Sequence, residues 1–261
     1  MIVRGNVYSE VLHIETGISV LAPDTHRDKG SCKVVYLFHG LHGDHNSWLD
    51  STMLQTLAKD YNAIFVMPEV GRSFYADMKH GYDYFTYVSE ELPEISKKVF
   101  NISAKREDTA VMGCSMGGYG ALKCALTKPD QYGFCGAISS ACLFIDEHLN
   151  SLQKNADYWL KTGGPEAEAI LRDFYAIFGN DLSYTEGDEI IKLTRKIASR
   201  SVKPKIYAAC GTEDPLQKEN IRFKDQIEKL EWDYTYEEWA GVHDWQFFND
   251  GLNKALQVWY S

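Results

Sequence analysis

The sequence predicts an α/β fold in which helices flank a mostly parallel central sheet, and two observations support this prediction. Short runs that are almost continuously apolar, such as 33–38 and 205–210, are typical of strands buried on both faces of a parallel sheet. Helix candidates separate these runs, so that strand and helix alternate along the chain.

Each element is placed from the same patterns. The first two strands are expected to form an antiparallel pair that turns at Thr16-Gly17. Pro93 is expected to kink the second helix, because proline lacks a backbone N–H. The predicted strands are 7–14, 17–21, 33–38, 63–67, 109–112, 135–139, 205–210 and 234–239, and the predicted helices are 47–60, 86–100, 116–128, 217–230 and a last helix after residue 243.

Residues 145–200 interrupt the alternation. This stretch contains no good strand, and its helical segments are separated by glycine-containing breaks at 163–165 and 179–181. An insertion at this point is most simply a helical cap over the C-terminal edge of the sheet. Because the composition does not shift at its borders, residues 1–261 are predicted to form a single domain that carries this insertion.

Charge and composition narrow the classes of function. The formal net charge of −10 argues against nucleic acid and anionic membrane surfaces as partners. No apolar run approaches the roughly 18 residues of a membrane span. The six cysteines form no Cys-x-x-Cys pair and several lie in apolar runs, which favours reduced thiols and a cytoplasmic protein, although a mature secreted chain would look the same. No pattern sets the oligomeric state, and a homo-oligomer stays open.

The strongest chemical signal is Gly113-Cys114-Ser115-Met116-Gly117, a G-x-S-x-G pattern. A strand-like run precedes it and a helix-like run follows it, which is the context of the nucleophile elbow in α/β-hydrolases. The tight turn strains the serine backbone, and the flanking glycines let the chain segments pass each other. The start of the helix directs N–H groups towards developing negative charge. Ser115 is therefore the predicted nucleophile.

A serine hydroxyl needs a neighbouring base, and in this fold the chain order is serine, acid, histidine. His243 follows the last strand and precedes the last helix, where the base is expected, whereas His148 lies in the insertion. Glu213 and Asp214 both follow the preceding strand, and either could instead cap a helix. We favour Asp214 as the acid. Asp244 adjoins the histidine in sequence and is poorly placed to bond its ring.

The loop after strand 33–38 reads His39-Gly40-Leu41-His42-Gly43-Asp44. Gly40 permits a close approach of the backbone, so the N–H of Leu41 is a predicted oxyanion donor, together with the N–H of Met116. His39, His42 and His45 could alternatively bind a metal together with Asp44. Zinc sites usually draw on helical i, i+4 pairs or cysteines, and neither a metal nor another cofactor is predicted.

These segments together resemble the esterase D-like branch of the α/β-hydrolases. That branch includes bacterial tributyrin and acetyl esterases, feruloyl esterases, S-formylglutathione hydrolases and mycolyltransferases. The first loop is most similar to the tributyrin and acetyl esterase type. The resemblance implies that Asp214 is the acid, because it ends the Cys-Gly-Thr-Glu-Asp motif, and that Leu41 and Met116 are the oxyanion donors. The matching segments are 37–48, 67–77, 90–93, 113–121, 210–214 and 241–245.

The sequence therefore predicts a cofactor-free serine carboxylesterase that acts on small-molecule esters of short acyl groups such as acetyl or butyryl, with acetylated carbohydrates as one option. A feruloyl or other aryl esterase and an S-formylglutathione-type thioesterase are the alternatives. A catalytically inactive binding module is a third class, which the intact serine, acid and histidine disfavour. The expected substrate-binding residues are Gly40, His42, Trp48, Tyr75 and Trp245, with core packing as the alternative role of the aromatic side chains.

Overall fold

The computed structural model describes residues 1–23 and 31–261, apart from the side chains at 157 and 159. Within this part of the chain, one sheet has the strand order β1-β2-β4-β3-β5-β6-β7-β8. The pairs β1–β2 and β2–β4 are antiparallel and the other pairs are parallel, which confirms the predicted α/β class. The strands are β1 (Ile2–Ser9), β2 (Ile14–Leu21), β3 (Lys33–Phe38), β4 (Ala63–Pro68), β5 (Thr109–Cys114), β6 (Phe134–Ile138), β7 (Lys205–Gly211) and β8 (Tyr234–Trp239).

Helices cover both faces of the sheet. None of the helices in the described residues combines the length and apolar character that a bilayer crossing demands. The α-helices are α1 (Ser47–Ser51), α2 (Leu54–Leu57), α3 (Tyr84–Thr86), α4 (Leu92–Val99), α5 (Met116–Thr127), α6 (Ile145–Thr162), α7 (Gly164–Phe178), α8 (Ile190–Ile197), α9 (Gln217–Ile227) and α10 (Trp245–Tyr260).

The inner strands β3 to β7 are almost continuously apolar because each of their faces lies in a separate core layer. In β3, Val34 and Tyr36 pack into the layer that includes α5, whereas Val35 and Leu37 pack into the layer that includes α10. All four side chains are buried. A strand with both faces covered cannot show the polar alternation of a half-exposed strand, which explains the continuous apolar runs.

The first hairpin differs from the prediction. β1 ends at Ser9 and β2 begins at Ile14, so the turn lies at 10–13, and Thr16 and Gly17 are paired within the ladder. The Ser9 hydroxyl accepts the Leu12 N–H at 2.9 Å and closes this turn. Leu12 is buried even though it lies in the turn, so apolar composition alone did not distinguish it from a strand residue.

The predicted helix 47–60 is broken at Thr52, which has extended backbone angles. The Thr52 hydroxyl donates to the Trp48 carbonyl at 2.5 Å and accepts the Leu54 N–H at 3.2 Å. A threonine side chain that bonds to the backbone in this way competes with the helical ladder. Two short helices and a 3-10 turn at 58–60 replace the single helix.

The expected disturbance at Pro93 takes the form of a π turn. Helical backbone runs from α3 into α4, with the π turn at Tyr87–Glu91 directly before Pro93. Pro93 cannot donate to the Ser89 carbonyl, which instead accepts a hydrogen bond from Nε2 of Gln131 at 3.3 Å. A neighbouring side chain thus satisfies the acceptor that proline leaves open.

Residues 145–197, which we call the helical insertion, hold α6, α7, a 3-10 turn at 186–188 and α8. The insertion is anchored on α5, the helix that begins directly after Ser115. Nζ of Lys123 lies 2.6 Å from Oδ1 of Asp188, and the Tyr119 hydroxyl donates to the Asp188 carbonyl at 2.8 Å. The late part of the insertion is therefore fixed relative to the sheet.

Candidate active site

Ser115 occupies the tight turn between β5 and α5. Its φ of 54° and ψ of −122° are strained for a residue with a side chain. The flanking glycines explain why the turn can form: a Cβ at Gly113 would lie 2.4 Å from the Gly117 carbonyl oxygen, and a Cβ at Gly117 would lie 2.4 Å from the Phe38 carbonyl oxygen. Ser115 itself is partly exposed between buried neighbours.

The strained turn is held by backbone hydrogen bonds on both sides. The Ser115 N–H donates to the Ile138 carbonyl of β6 at 2.9 Å, and its carbonyl accepts from the Ala141 N–H at 3.2 Å. The Tyr119 N–H of α5 also donates to that carbonyl, at 3.1 Å. Strain of this kind persists where surrounding bonds over-determine the conformation.

The predicted acid and base lie in contact. Nδ1 of His243 is 2.8 Å from Oδ2 of Asp214, and Oδ1 of Asp214 accepts the Leu216 N–H at 2.8 Å. Burial alone would raise the pKa of Asp214, but the hydrogen bonds from His243 and the Leu216 N–H outweigh it and hold the pKa below its usual range. An ionised carboxylate at Nδ1 keeps the proton there and leaves Nε2 as the basic nitrogen.

The other acids considered from the sequence have different partners. Glu213 accepts the Gly241 N–H at 2.7 Å, and Asp244 caps α10 by accepting the Phe247 N–H at 2.9 Å. His148, the second downstream histidine, lies 3.1 Å from Glu219. These side chains serve loop and helix contacts, whereas Asp214 is the carboxylate that contacts His243.

Ser115, Asp214 and His243 follow the carboxyl ends of three parallel strands, β5, β7 and β8. In open α/β sheets this edge is where ligands bind. β6 lies between β5 and β7 and links their ends, because the Ser115 N–H donates to the Ile138 carbonyl and the Ser139 N–H donates to the Ala209 carbonyl at 2.7 Å. The topology thus places the three predicted residues along one edge of the sheet.

The loop after β3 brings the predicted oxyanion donors to the same place. A Cβ built on Gly40 would lie 3.4 Å from Cβ of Ser115, so the backbone at Gly40 passes close to the predicted nucleophile. Among the contacts of the described residues, the N–H groups of Leu41 and Met116 have no hydrogen-bond acceptor. Both groups are therefore available to bind an oxygen atom.

A buried histidine holds this loop, a role that the sequence pattern did not reveal. Nδ1 of His39 donates to the Gly40 carbonyl at 2.8 Å, and Nε2 accepts the Val70 N–H at 3.3 Å. Burial lowers the pKa of His39, so the ring is neutral and carries its proton on Nδ1. His39 cross-links the loops that follow β3 and β4. Its position directly after the buried strand 33–38 was the available signal, since a residue there lies next to the core.

The other two histidines of the first loop face different carboxylates. Nε2 of His42 lies 3.0 Å from Glu166 of the insertion, and Nδ1 of His45 lies 3.3 Å from Glu69. Across residues 1–23 and 31–261, no group of three or more His, Cys, Asp or Glu side chains is arranged to hold a metal ion.

The predicted substrate-binding residues separate into two sets. Gly40 and Trp245 are partly exposed and His42 is exposed, so they are accessible at this edge. Trp48 and Tyr75 are fully buried behind the loop, where they donate to the carbonyls of Phe38 and His39 at 2.9 and 3.0 Å. These two rings offer no surface to a ligand in this structure, because they fill the core that supports the loop after β3.

Comparison with known proteins identifies the family of this chain. The sequence matches the family model described as Putative esterase over residues 9–258. The chain belongs to this esterase family. It is also 32% identical to an acetyl esterase of Caldicellulosiruptor saccharolyticus, with 100% of this chain and 98% of the relative covered. The resemblance identified from the sequence is therefore confirmed, and the protein is a carboxylic ester hydrolase.

Solved structures agree with the fold of the esterase. It superposes on the substrate-bound fluorophosphonate-binding serine hydrolase F of Staphylococcus aureus with a TM-score of 0.84 and 24% identity, over 100% of this chain and 98% of the other. The S-formylglutathione hydrolase of the same organism gives a TM-score of 0.81 and 24% identity, over 100% and 99%. The α/β-hydrolase fold predicted from the sequence is confirmed.

Proposed function

We propose that this esterase hydrolyses short-chain acyl esters, of the acetyl and butyryl type, through an acyl-enzyme on Ser115. The observation that carries the proposal is the His243–Asp214 hydrogen bond, at the sheet edge where the Ser115 turn opens. Together these residues supply a nucleophile, a base and an acid that orients the base.

The reaction proceeds in two acyl-transfer steps. His243 removes the proton from the Ser115 hydroxyl as its oxygen attacks the ester carbonyl carbon. The N–H groups of Leu41 and Met116 bind the resulting oxyanion, and removal of one such donor costs about 3–4 kcal/mol in comparable enzymes. His243 then protonates the leaving alcohol. Water attacks the acyl-enzyme by the same route, and the carboxylic acid leaves.

Short-chain specificity is supported by the acetyl esterase from Caldicellulosiruptor saccharolyticus, which matches this chain over its full length. We propose the helical insertion as the cap of the site, with Gly40, His42 and Trp245 as candidate substrate contacts. Acetylated carbohydrates are included in the proposed substrate class.

The buried thiols Cys114, Cys124, Cys135, Cys142 and Cys210 support the cytoplasmic location that we propose.

A substrate series tests the proposed specificity. We expect kcat/KM to be highest for p-nitrophenyl acetate and butyrate and at least tenfold lower for methyl ferulate. Acetylated xylan, followed by acetate release, tests the carbohydrate option. S-formylglutathione tests the thioester alternative, and a hundredfold preference for it would contradict the carboxylesterase assignment.

A further inference from the structure

A carboxylate of the helical insertion reaches the loop that carries Leu41. Glu166 lies on the first turn of α7, and its Oε1 accepts a hydrogen bond from Nε2 of His42 at 3.0 Å. Nη2 of Arg72 lies 3.6 Å from the same oxygen. Because His42 directly follows Leu41, the insertion and the proposed oxyanion loop meet at this carboxylate.

The helix that carries Glu166 is itself firmly held. Nε of Arg72 donates to Oδ2 of Asp173 in the middle of α7 at 2.8 Å, and the rings of Phe74 and Phe174 meet edge to face at 5.1 Å. Two backbone hydrogen bonds fix the C-terminal end of the helix, from Lys79 N–H to the Ile177 carbonyl at 3.0 Å and from His80 N–H to the Ala176 carbonyl at 2.9 Å. Glu166 therefore lies on a helix that is fixed beside the site.

Other contacts hold the two ends of the oxyanion loop. His39 bonds to the Gly40 carbonyl, which also accepts the Gly43 N–H at 3.0 Å. At the other end of the loop, the Asp44 carboxylate accepts the Asn46 N–H at 2.7 Å. Between these two ends, the side-chain hydrogen bond that holds residues 41–42 within the described part of the chain is the one from His42 to Glu166.

We propose that Glu166 is a positioning residue, which acts through His42 to keep the Leu41 N–H directed at the developing oxyanion. This inference rests on the proposed function. A donor stabilises a transition state only when it is preorganised, so a loop that can shift loses part of that stabilisation. The pair is exposed, and exposed pairs are weak, so we expect a loss of about two- to fivefold in kcat when it is broken.

The test compares Glu166→Ala, Glu166→Gln and the control Glu168→Ala, which changes another exposed glutamate of α7. Turnover of p-nitrophenyl acetate is normalised to the sites titrated by a fluorophosphonate, so unfolded protein does not count. Inhibition by an aryl trifluoromethyl ketone, which forms a tetrahedral oxyanion with a serine, reports the oxyanion donors directly. A residue that only stabilises the fold would not change this inhibition constant in the titrated enzyme.

We expect Glu166→Ala to lower kcat and weaken the ketone by the same factor at unchanged KM. Glu166→Gln should stay near wild type because its carbonyl oxygen still accepts from His42, and Glu168→Ala should match wild type. His42→Ala should lose at least as much as Glu166→Ala, because His42 is also a candidate substrate contact, and adding Glu166→Ala to it should cause no further loss.

Wild-type kcat and ketone affinity in Glu166→Ala would overturn the inference, as would additive losses in the double variant or an equal loss in Glu168→Ala. Ser115→Ala separates this result from the parent proposal. If Ser115→Ala still turns over the ester, the proposed function fails. If Ser115→Ala is inactive while Glu166→Ala is unaffected, only the role of Glu166 fails.

Discussion

Glu213 and Asp214 are adjacent carboxylates with different partners, which makes them a matched pair for testing the acid. We predict that Asp214→Asn lowers kcat by about 10³-fold or more, because an amide cannot hold the correct tautomer of His243 or stabilise its charge. Glu213→Gln should stay within about threefold, since its carbonyl oxygen can still accept the Gly241 N–H. Steady-state kinetics on p-nitrophenyl acetate measure both. A larger loss in Glu213→Gln than in Asp214→Asn would contradict the assignment.

At the residue scale, local patterns predicted Ser115, Asp214 and His243, because each is defined by its place after a strand. Two aromatic assignments could not be settled in the same way. Trp48 and Tyr75 lie near the candidate site in sequence, but their rings turn inward to fill the core and donate to the carbonyls of Phe38 and His39. The direction of such a side chain depends on tertiary packing, which spacing along the chain does not report.

At the element scale, the anchor between α5 and the insertion is a buried ion pair. The Lys123 and Asp188 side chains are 4% and 12% exposed and lie 2.6 Å apart. We predict that Lys123→Met lowers the free energy of unfolding by about 3–5 kcal/mol, because it leaves a buried carboxylate without its cation.

Lys97→Met is the matched control, since Lys97 is exposed and pairs with Glu94 on its own helix. It should change the free energy of unfolding by less than about 1 kcal/mol. Urea titration followed by circular dichroism measures both variants. Similar small losses in the two variants would show that the α5 anchor is not important for stability.

Long elements were predicted better than their interruptions. The parallel strands were found from composition because burial on both faces demands apolar residues. The antiparallel pairing of the first two strands was predicted correctly, but its turn was misplaced and the break at Thr52 was missed, since both depend on single hydroxyl groups that bond to the backbone. A side chain that competes with the backbone acts through one contact, which a periodic pattern does not contain.

For the whole molecule, buried groups make stability depend on pH in two ranges. The pKa of His39 is lowered by burial, so the unfolded chain binds a proton more readily than the folded chain. Its contribution to stability is complete above the unfolded pKa of about 6.5 and is lost as the pH falls through the folded pKa. Burial alone would raise the pKa values of Asp188 and Asp214, but Lys123 and His243, respectively, help to lower them below their usual range. The two carboxylates therefore stabilise the folded chain at neutral pH, and this stabilisation is lost as the pH falls below about 4.

We therefore predict that His39 makes the free energy of unfolding fall between pH 7 and pH 5. His148 contributes in the opposite direction, because its hydrogen bond to Glu219 outweighs burial and raises its pKa. His39→Gln should flatten this slope, whereas His80→Gln, at an exposed histidine, should keep it. Urea unfolding at each pH supplies the measurement. An unchanged slope in His39→Gln would show that another group causes the pH dependence.

The strand order places the ends of β5, β7 and β8 along one edge of the sheet, and the account of this esterase centres on a nucleophile at that edge. The most direct test is to incubate the protein with a fluorophosphonate and locate the adduct by mass spectrometry of its peptides. We predict one adduct per chain, on Ser115, with complete loss of p-nitrophenyl acetate hydrolysis and no adduct in Ser115→Ala. An adduct on another residue, or a Ser115→Ala protein that hydrolyses the ester at the wild-type rate, would contradict the account.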